Sequence, residues 1–200
     1  MCYDIRKRPK IFVMAIVLGI DPGSRVTGYG LVKSVDRAIN YIASGRIITD
    51  PKSTLPEKLE VIYKGVSEIV AEFEPTELAI EKVFVSKSAS SALKLGQARG
   101  AAIVAGVRGG AVVKEYEARK IKQSIVGTGA ATKEQVQKMV QSMLGLSGLP
   151  QQDAADALAT AICHIHTQFS VRIIENSNDN QEQISVFRRG RYGAAEDGSR

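Results

Sequence analysis

The run Ile16–Ile20 constrains this chain more than any other stretch. It is short, continuously apolar and rich in β-branched residues, and it stops abruptly at Asp21-Pro22-Gly23. Such a run reads as a buried strand closed by a turn. It also delivers a carboxylate to the end of a buried element, where a charge is costly unless something compensates it. Any fold for this chain has to bury that strand and still accommodate Asp21.

The segments that follow supply the partners. Thr27–Val32, with Gly28 and Gly30 between larger residues, pairs with the first strand as a hairpin, and Tyr41–Ile48 forms a third strand. Thr54-Leu-Pro-Glu57 is a capping box with proline tolerated in the first turn. It opens a helix with Leu59, Ile62, Tyr63, Val66, Ile69, Val70 and Phe73 on one stripe, ended by Pro75. Leu78-Ala-Ile80 is a strand that delivers Glu81. A second helix runs from Ser88 to about Val107, where Gly96, Gly100 and Gly106 suggest close packing. Ala111–Val113 is a fifth strand, and Glu117–Val126 is a basic helix. Thr132-Lys-Glu-Gln135 caps a helix to about Leu144, and a last helix runs from about Gln151 to Phe169. Three meandering strands, then strands reached through helices, predict an α/β fold. Its mixed five-stranded sheet has three antiparallel strands plus two parallel ones, flanked by helices.

Residues 14–169 are expected to form one domain. Residues 1–13 read as an extension outside the fold, because Met14 directly precedes the first convincing strand, and residues 170–200 read as a polar, disordered tail. Arg6-Lys-Arg-Pro-Lys10 before Ile11–Ile20 imitates a signal peptide. That reading is rejected: no small-residue cleavage site follows, the run ends in Asp21, and it is too short to span a bilayer. Cys2 and Cys163 are not expected to pair, which suits a reducing cytoplasm.

The formal net charge is +6, but its distribution says more than its sum. Lys82 to Lys138 holds eleven basic residues against three acidic ones, Glu115, Glu117 and Glu134. A block that one-sided favours a polyanionic partner, with solvated helix faces as the plainer alternative.

Within this frame, four acids fall into a pattern. Asp21 and Glu81 end adjacent parallel strands, at the sheet edge where α/β folds bind ligands. Asp153 and Asp156 are three apart, so they share one helix face. If that helix crosses the strand ends, four carboxylates converge. Such a cluster raises its own pKa values unless cations neutralise it, and hard oxygen ligands select magnesium or manganese. Two ions so held form a device for cutting phosphodiesters. Taken singly, each acid has a structural alternative: Asp21 shaping its turn, Glu81 pairing with Lys82, Asp153 capping its helix. His164 and His166 stand two apart and do not share a face; they read as structural or surface residues. Two other functions compete. Asp21-Pro-Gly23 followed by Gly28 is also compatible with the phosphate loop of actin- and hexokinase-like ATPases, but 200 residues are not expected to supply the second domain and the nucleotide-clasping Gly-rich segment those use. A polyanion-binding protein without catalysis would use the basic block yet leave the acids idle.

Leu18-Gly-Ile-Asp-Pro-Gly-Ser-Arg-Val-Thr-Gly-Tyr-Gly30, Ala79-Ile-Glu-Lys-Val-Phe84, Ser91-Ala-Leu-Lys-Leu-Gly-Gln-Ala-Arg-Gly100, Lys122-Gln-Ser-Ile-Val-Gly127 and Asp153-Ala-Ala-Asp-Ala-Leu158 occur in that order. Together they resemble the RuvC family of Holliday-junction resolvases, the crossover junction endodeoxyribonucleases, over about Met14 to Phe169. The resemblance implies an RNase H-like fold and a homodimer in which each subunit nicks one of two opposed strands of four-way junction DNA. It implies Asp21, Glu81, Asp153 and Asp156 as catalytic magnesium ligands and RuvA–RuvB as partners. It moves Phe84 from a core aromatic towards a wedge stacking on an unpaired base. Lys122 reads either as a surface lysine or as a catalytic group near the scissile phosphate that stabilises developing charge. Lys87, Lys94, Arg99, Lys114, Arg119 and Lys133 are candidate phosphate contacts. An RNA–DNA hybrid nuclease is the nearest variant.

Overall fold

A computed structural model of the chain describes residues 15–35, 38–82 and 88–192. Among these, five strands form one sheet in the order β3-β2-β1-β4-β5. The strands are β1 Ala15–Asp21, β2 Val26–Val35, β3 Ala38–Ile48, β4 Glu77–Glu81 and β5 Val112–Tyr116. Strands β1 to β3 pair antiparallel, and β4 lies parallel to both β1 and β5. The helices are α1 Leu55–Phe73, α2 Ala89–Arg108, α3 Ala118–Val126, α4 Lys133–Leu144 and α5 Gln152–Tyr192.

Local chemistry sets the boundaries. Glu57 accepts from the Thr54 N–H at 2.6 Å, closing the expected box on α1. Thr132 and Gln135 close the box on α4, with distances of 2.8 and 3.2 Å. Helix α1 stops at Glu74, a non-glycine residue in the left-handed region with φ 46°, ahead of Pro75. β5 runs further than Val113, because its register with β4 continues to the Glu81–Tyr116 pair and Lys82 N–H donates to the Tyr116 carbonyl at 2.8 Å.

The two faces of the sheet are built differently. Side chains alternate along a strand, so Leu18, Ile20, Leu31, Leu78 and Ile80 point one way. They pack with Ile62, Val66, Ile69 and Val70 of α1 and Ala98, Ala102 and Ala105 of α2. The intervening positions, Gly19, Gly28, Gly30 and Ala79, face α5. A Cβ on Gly19 would stand 2.0 Å from the Ala157 carbonyl oxygen, and one on Gly28 would stand 2.0 Å from that of Asp153. On Gly30 it would stand 2.6 Å from Leu158 Cγ. The helix therefore lies directly on strand backbone. Further along, His164 ties α5 to the parallel strands: Nδ1 meets the Tyr116 hydroxyl at 2.7 Å and Nε2 meets the Glu77 carboxylate.

Two expectations change. Only Gly106 of the α2 glycines is packed, against Leu78; Gly96 and Gly100 have nothing within 4 Å of a built Cβ. And α5 does not end near Phe169, nor is the segment after Ser170 read as coil, because the helix continues to Tyr192. No glycine or proline interrupts 151–189, so fading apolar periodicity did not end it. The chain divides into two compact units, Met1–Ile165 and His166–Arg200.

Gly19→Ala is expected to destabilise the fold by about 1–3 kcal/mol or more, the usual cost of overpacking against groups that cannot yield. Chemical denaturation of the variant and wild type checks this.

Candidate active site

The period-2 alternation that aims Leu18 and Ile20 at α1 and α2 aims Asp21 at α5. On β4, Leu78 and Ile80 likewise leave Glu81 on the α5 side. Ile20 pairs with Ile80, so the two acids leave neighbouring strand ends. Opposite Asp21 in the antiparallel register stands Gly28, and the backbone of Asp153 occupies the space a side chain there would need. That contact places the first turn of α5, with Asp153 and Asp156, across the carboxyl ends of β1 and β4.

Asp21, Glu81 and Asp156 line one cleft of about 450 Å³. Lys122 from α3 and Lys133 from the first turn of α4 share it. The Lys133 ammonium lies 3.0 Å from Asp156 Oδ2. Asp153 sits to the side, with Oδ2 3.8 Å from the Arg46 guanidinium of β3. Arg46 escaped the reading of the sequence. Its signal is the register alone: Asp21, Gly28 and Arg46 are consecutive partners across β1, β2 and β3, so they share a face.

Burial pushes the Asp21 carboxyl up from 3.8 to about 7, helped by the charges of Asp156, Glu81 and Asp153 and opposed by Lys133. Burial also raises Glu81, as does Asp156, while Lys133 and Lys122 lower it. Lys133 itself is raised: burial works against the ammonium, but the bond to Asp156 and the nearby Asp21 and Asp153 charges prevail. The site thus holds more negative charge than its lysines offset. Its donors are carboxylate oxygens without cysteine or histidine, the set preferred by hard divalent ions. Among the described residues, no group of three His, Cys, Asp or Glu side chains is gathered into a formed metal site. Asp21, Glu81 and Asp156 stand around the cleft, with Lys133 set against Asp156.

The other expected contacts separate. Lys94, Lys114 and Arg119 are exposed. Lys114 lies on the α5 side of β5 near His164, whose pKa is lowered first by burial and also by Lys114, against the pull of Glu77. The stem of Arg119 lies against Gly129. Arg99, expected to meet phosphates, turns inward: its Nε donates to the Glu81 carbonyl at 3.1 Å and its guanidinium pairs with Glu115. Phe84 and Lys87 lie outside the described residues. A second cleft of about 550 Å³, between the C-terminal ends of α1 and α2, contains Tyr63, Glu74 and Arg108 and none of the four acids. No helix among the described residues is long and apolar enough to cross a membrane.

The family model for crossover junction endodeoxyribonuclease RuvC matches residues 17–164, the span that builds this cleft. The chain belongs to the RuvC family. It is 57% identical to the RuvC of Saccharophagus degradans over 178 residues, 89% of this chain and 99% of that protein. A solved structure of Thermus thermophilus RuvC in complex with a Holliday junction substrate matches with a TM-score of 0.70 and 34% identity. That match covers 76% of this chain and 93% of the other. The yeast mitochondrial Holliday junction resolvase Ydc2 shares the fold, with a TM-score of 0.63 at 12% identity, covering 86% of this chain and 88% of the other. The mixed sheet is therefore the RNase H-like fold of the RuvC resolvases, as the motifs implied.

Because Asp21 keeps its proton in the folded state up to about pH 7 but loses it near 3.8 when unfolded, it makes stability fall as pH rises through that window. Asp21→Asn is expected to melt higher than wild type at pH 8 in chelator, with the difference shrinking towards pH 4. Thermal melts across that range check it; an equal or lower melting temperature for the variant at pH 8 would contradict the assignment.

Proposed function

We propose that this chain nicks two opposed strands of a four-way DNA junction, one strand per subunit of a homodimer, with magnesium held by Asp21, Glu81, Asp153 and Asp156. The observation that carries this reading is the shared cleft of Asp21, Glu81, Asp156, Lys122 and Lys133 at the carboxyl ends of two parallel strands. Two bound ions, with manganese able to substitute, would supply Lewis-acid polarisation of the phosphate and a water acidic enough to attack near neutral pH. The protein does the rest. Strand ends and the first turn of α5 place the carboxylates around the cleft before charge develops. Lys122 and Lys133 offset the negative charge of a phosphate entering a cleft already rich in acids. The surrounding basic residues, Lys94, Lys114 and Arg119 with Phe84 and Lys87, are proposed to hold the junction arms, mainly by phosphate contact.

Paired cutting needs two sites, because one cleft reaches one strand. Helix α2 offers a surface for a second copy: Leu93, Val104 and Val107 are exposed at 69%, 51% and 56%. They lie at helical spacing with Gly96 and Gly100, where no side chain intervenes. Action beside RuvA–RuvB and residence in the bacterial cytoplasm complete the proposal.

On a synthetic mobile junction, the wild type is expected to bind without magnesium and to nick symmetrically with it, sparing plain duplex and RNA–DNA hybrid. Asp21→Asn should bind the junction and lose cutting by about 10²-fold or more, the scale of losing a principal electrostatic group. Full cutting by that variant would refute the assigned mechanism. Val104→Glu is expected to shift the chain towards monomer in analytical ultracentrifugation and to leave unpaired nicks.

A further inference from the structure

We infer that Arg99 is a positioning residue for Glu81, bracing the end of β4 from the far side of the sheet rather than holding DNA. Glu81 is the last residue of β4, and its side chain serves the cleft on the α5 face. Its backbone is held from elsewhere. The Glu81 carbonyl accepts from Arg99 Nε at 3.1 Å. The next peptide is fixed by Lys82 N–H donating to the Tyr116 carbonyl at 2.8 Å. The Arg99 guanidinium also pairs with Glu115 of β5, which stands opposite Ile80 in the parallel register and so shares its face.

The planar fork of arginine makes this a rigid connection. Its Nε meets a carbonyl and its Nη2 a carboxylate, which a lysine ammonium cannot reproduce in the same geometry. The base of the fork is rigid too. Arg99 is flanked on α2 by Ala98 and Ala102, both 0% exposed in the core. The Arg99 side chain is 19% exposed and Glu115 42%, so the pair is partly withdrawn from water. Through it, the α2 layer sets the height and angle at which β4 presents its acid to the opposite layer. A strand end without that partner would lose the side-chain donor that holds the Glu81 carbonyl from α2.

The inference rests on the proposed role of Glu81 in cutting. The test uses the full chain as wild type, Arg99→Gln, Arg99→Lys and Glu115→Ala, with Asp21→Asn as the inactive control. Junction binding is measured without magnesium across a salt series, and single-turnover nicking at saturating junction across a magnesium series. Arg99→Gln is expected to keep wild-type affinity and salt slope. Its nicking should fall about 10–100-fold, the usual loss when a supporting group behind a ligand is removed, and the magnesium needed for half-maximal rate should rise. Arg99→Lys should recover only part of the rate. Glu115→Ala should also nick more slowly while binding at least as well, since it removes a negative charge. A phosphate contact gives the opposite pattern: Arg99→Gln loses affinity, its salt slope falls by about one, and both it and Glu115→Ala nick normally at saturating junction. That result would overturn the inference. If Arg99→Gln melts below the assay temperature, Glu115→Ala alone decides. Wild-type protein that bound junctions without cutting them would remove the proposed function and this inference with it. Wild-type cutting beside unimpaired Glu115→Ala would remove the inference only.

Discussion

Everything in this molecule depends on the direct contact between the backbone of α5 and the backbone of β1 and β2. Gly19, Gly28 and Gly30 remove the side chains that would separate the layers, so Ala157, Asp153 and Leu158 rest where Cβ atoms would otherwise be. The opposite face is an ordinary hydrocarbon layer, with leucine and isoleucine from the strands, isoleucine and valine from α1 and alanine from α2. The α5 face also buries large side chains, Val17, Val32, Leu158 and Ile162 among them, but its glycines add a closeness that the other face lacks. That closeness brings two aspartates on a helix near acids on two strands that are distant in sequence.

The assembled acids oppose the fold that assembles them. Burial and mutual repulsion raise Asp21 to about 7 and raise Glu81 with it. The surrounding structure must hold the cluster in place. On one side α5 is tied down by His164, which joins Tyr116 and Glu77. On the other, Arg99 ties α2 to the end of β4 and to β5. The end of β5 is thus gripped from both faces, through Glu115 and through Tyr116, two adjacent residues pointing opposite ways. Strain of this kind is expected where a protein keeps charges ready for chemistry.

Much of this was legible in the sequence, for physical reasons that differ between elements. The strands announced themselves through β-branched apolar runs, and α1 and α4 through capping boxes that form as written. The acids were legible because each ends an apolar run or shares a helix face. What sequence could not supply was pairing in space. The partnership of Asp153 with Arg46 needs the register of three strands at once. The inward turn of Arg99 depends on the carbonyl that β4 leaves at its end, and nothing along α2 signals it. Basic residues read alike on paper whether they meet phosphate, carboxylate or solvent. The extent of α5 is not legible from apolar spacing, which fades after Phe169; the absence of breakers is what lets the helix continue.

The alternation along β1 and β4 has one more consequence. Each strand carries its leucine and isoleucine on one parity of position and its carboxylate on the other, from Leu18 and Leu78 onward. Loss or gain of a single residue inside either strand would rotate the acid into the hydrocarbon layer and bring a leucine or isoleucine up against α5. A change of two would preserve parity and only shift the acid along the strand. From Leu18 to Asp21 and from Leu78 to Glu81 the spacing behaves like a reading frame with a step of two.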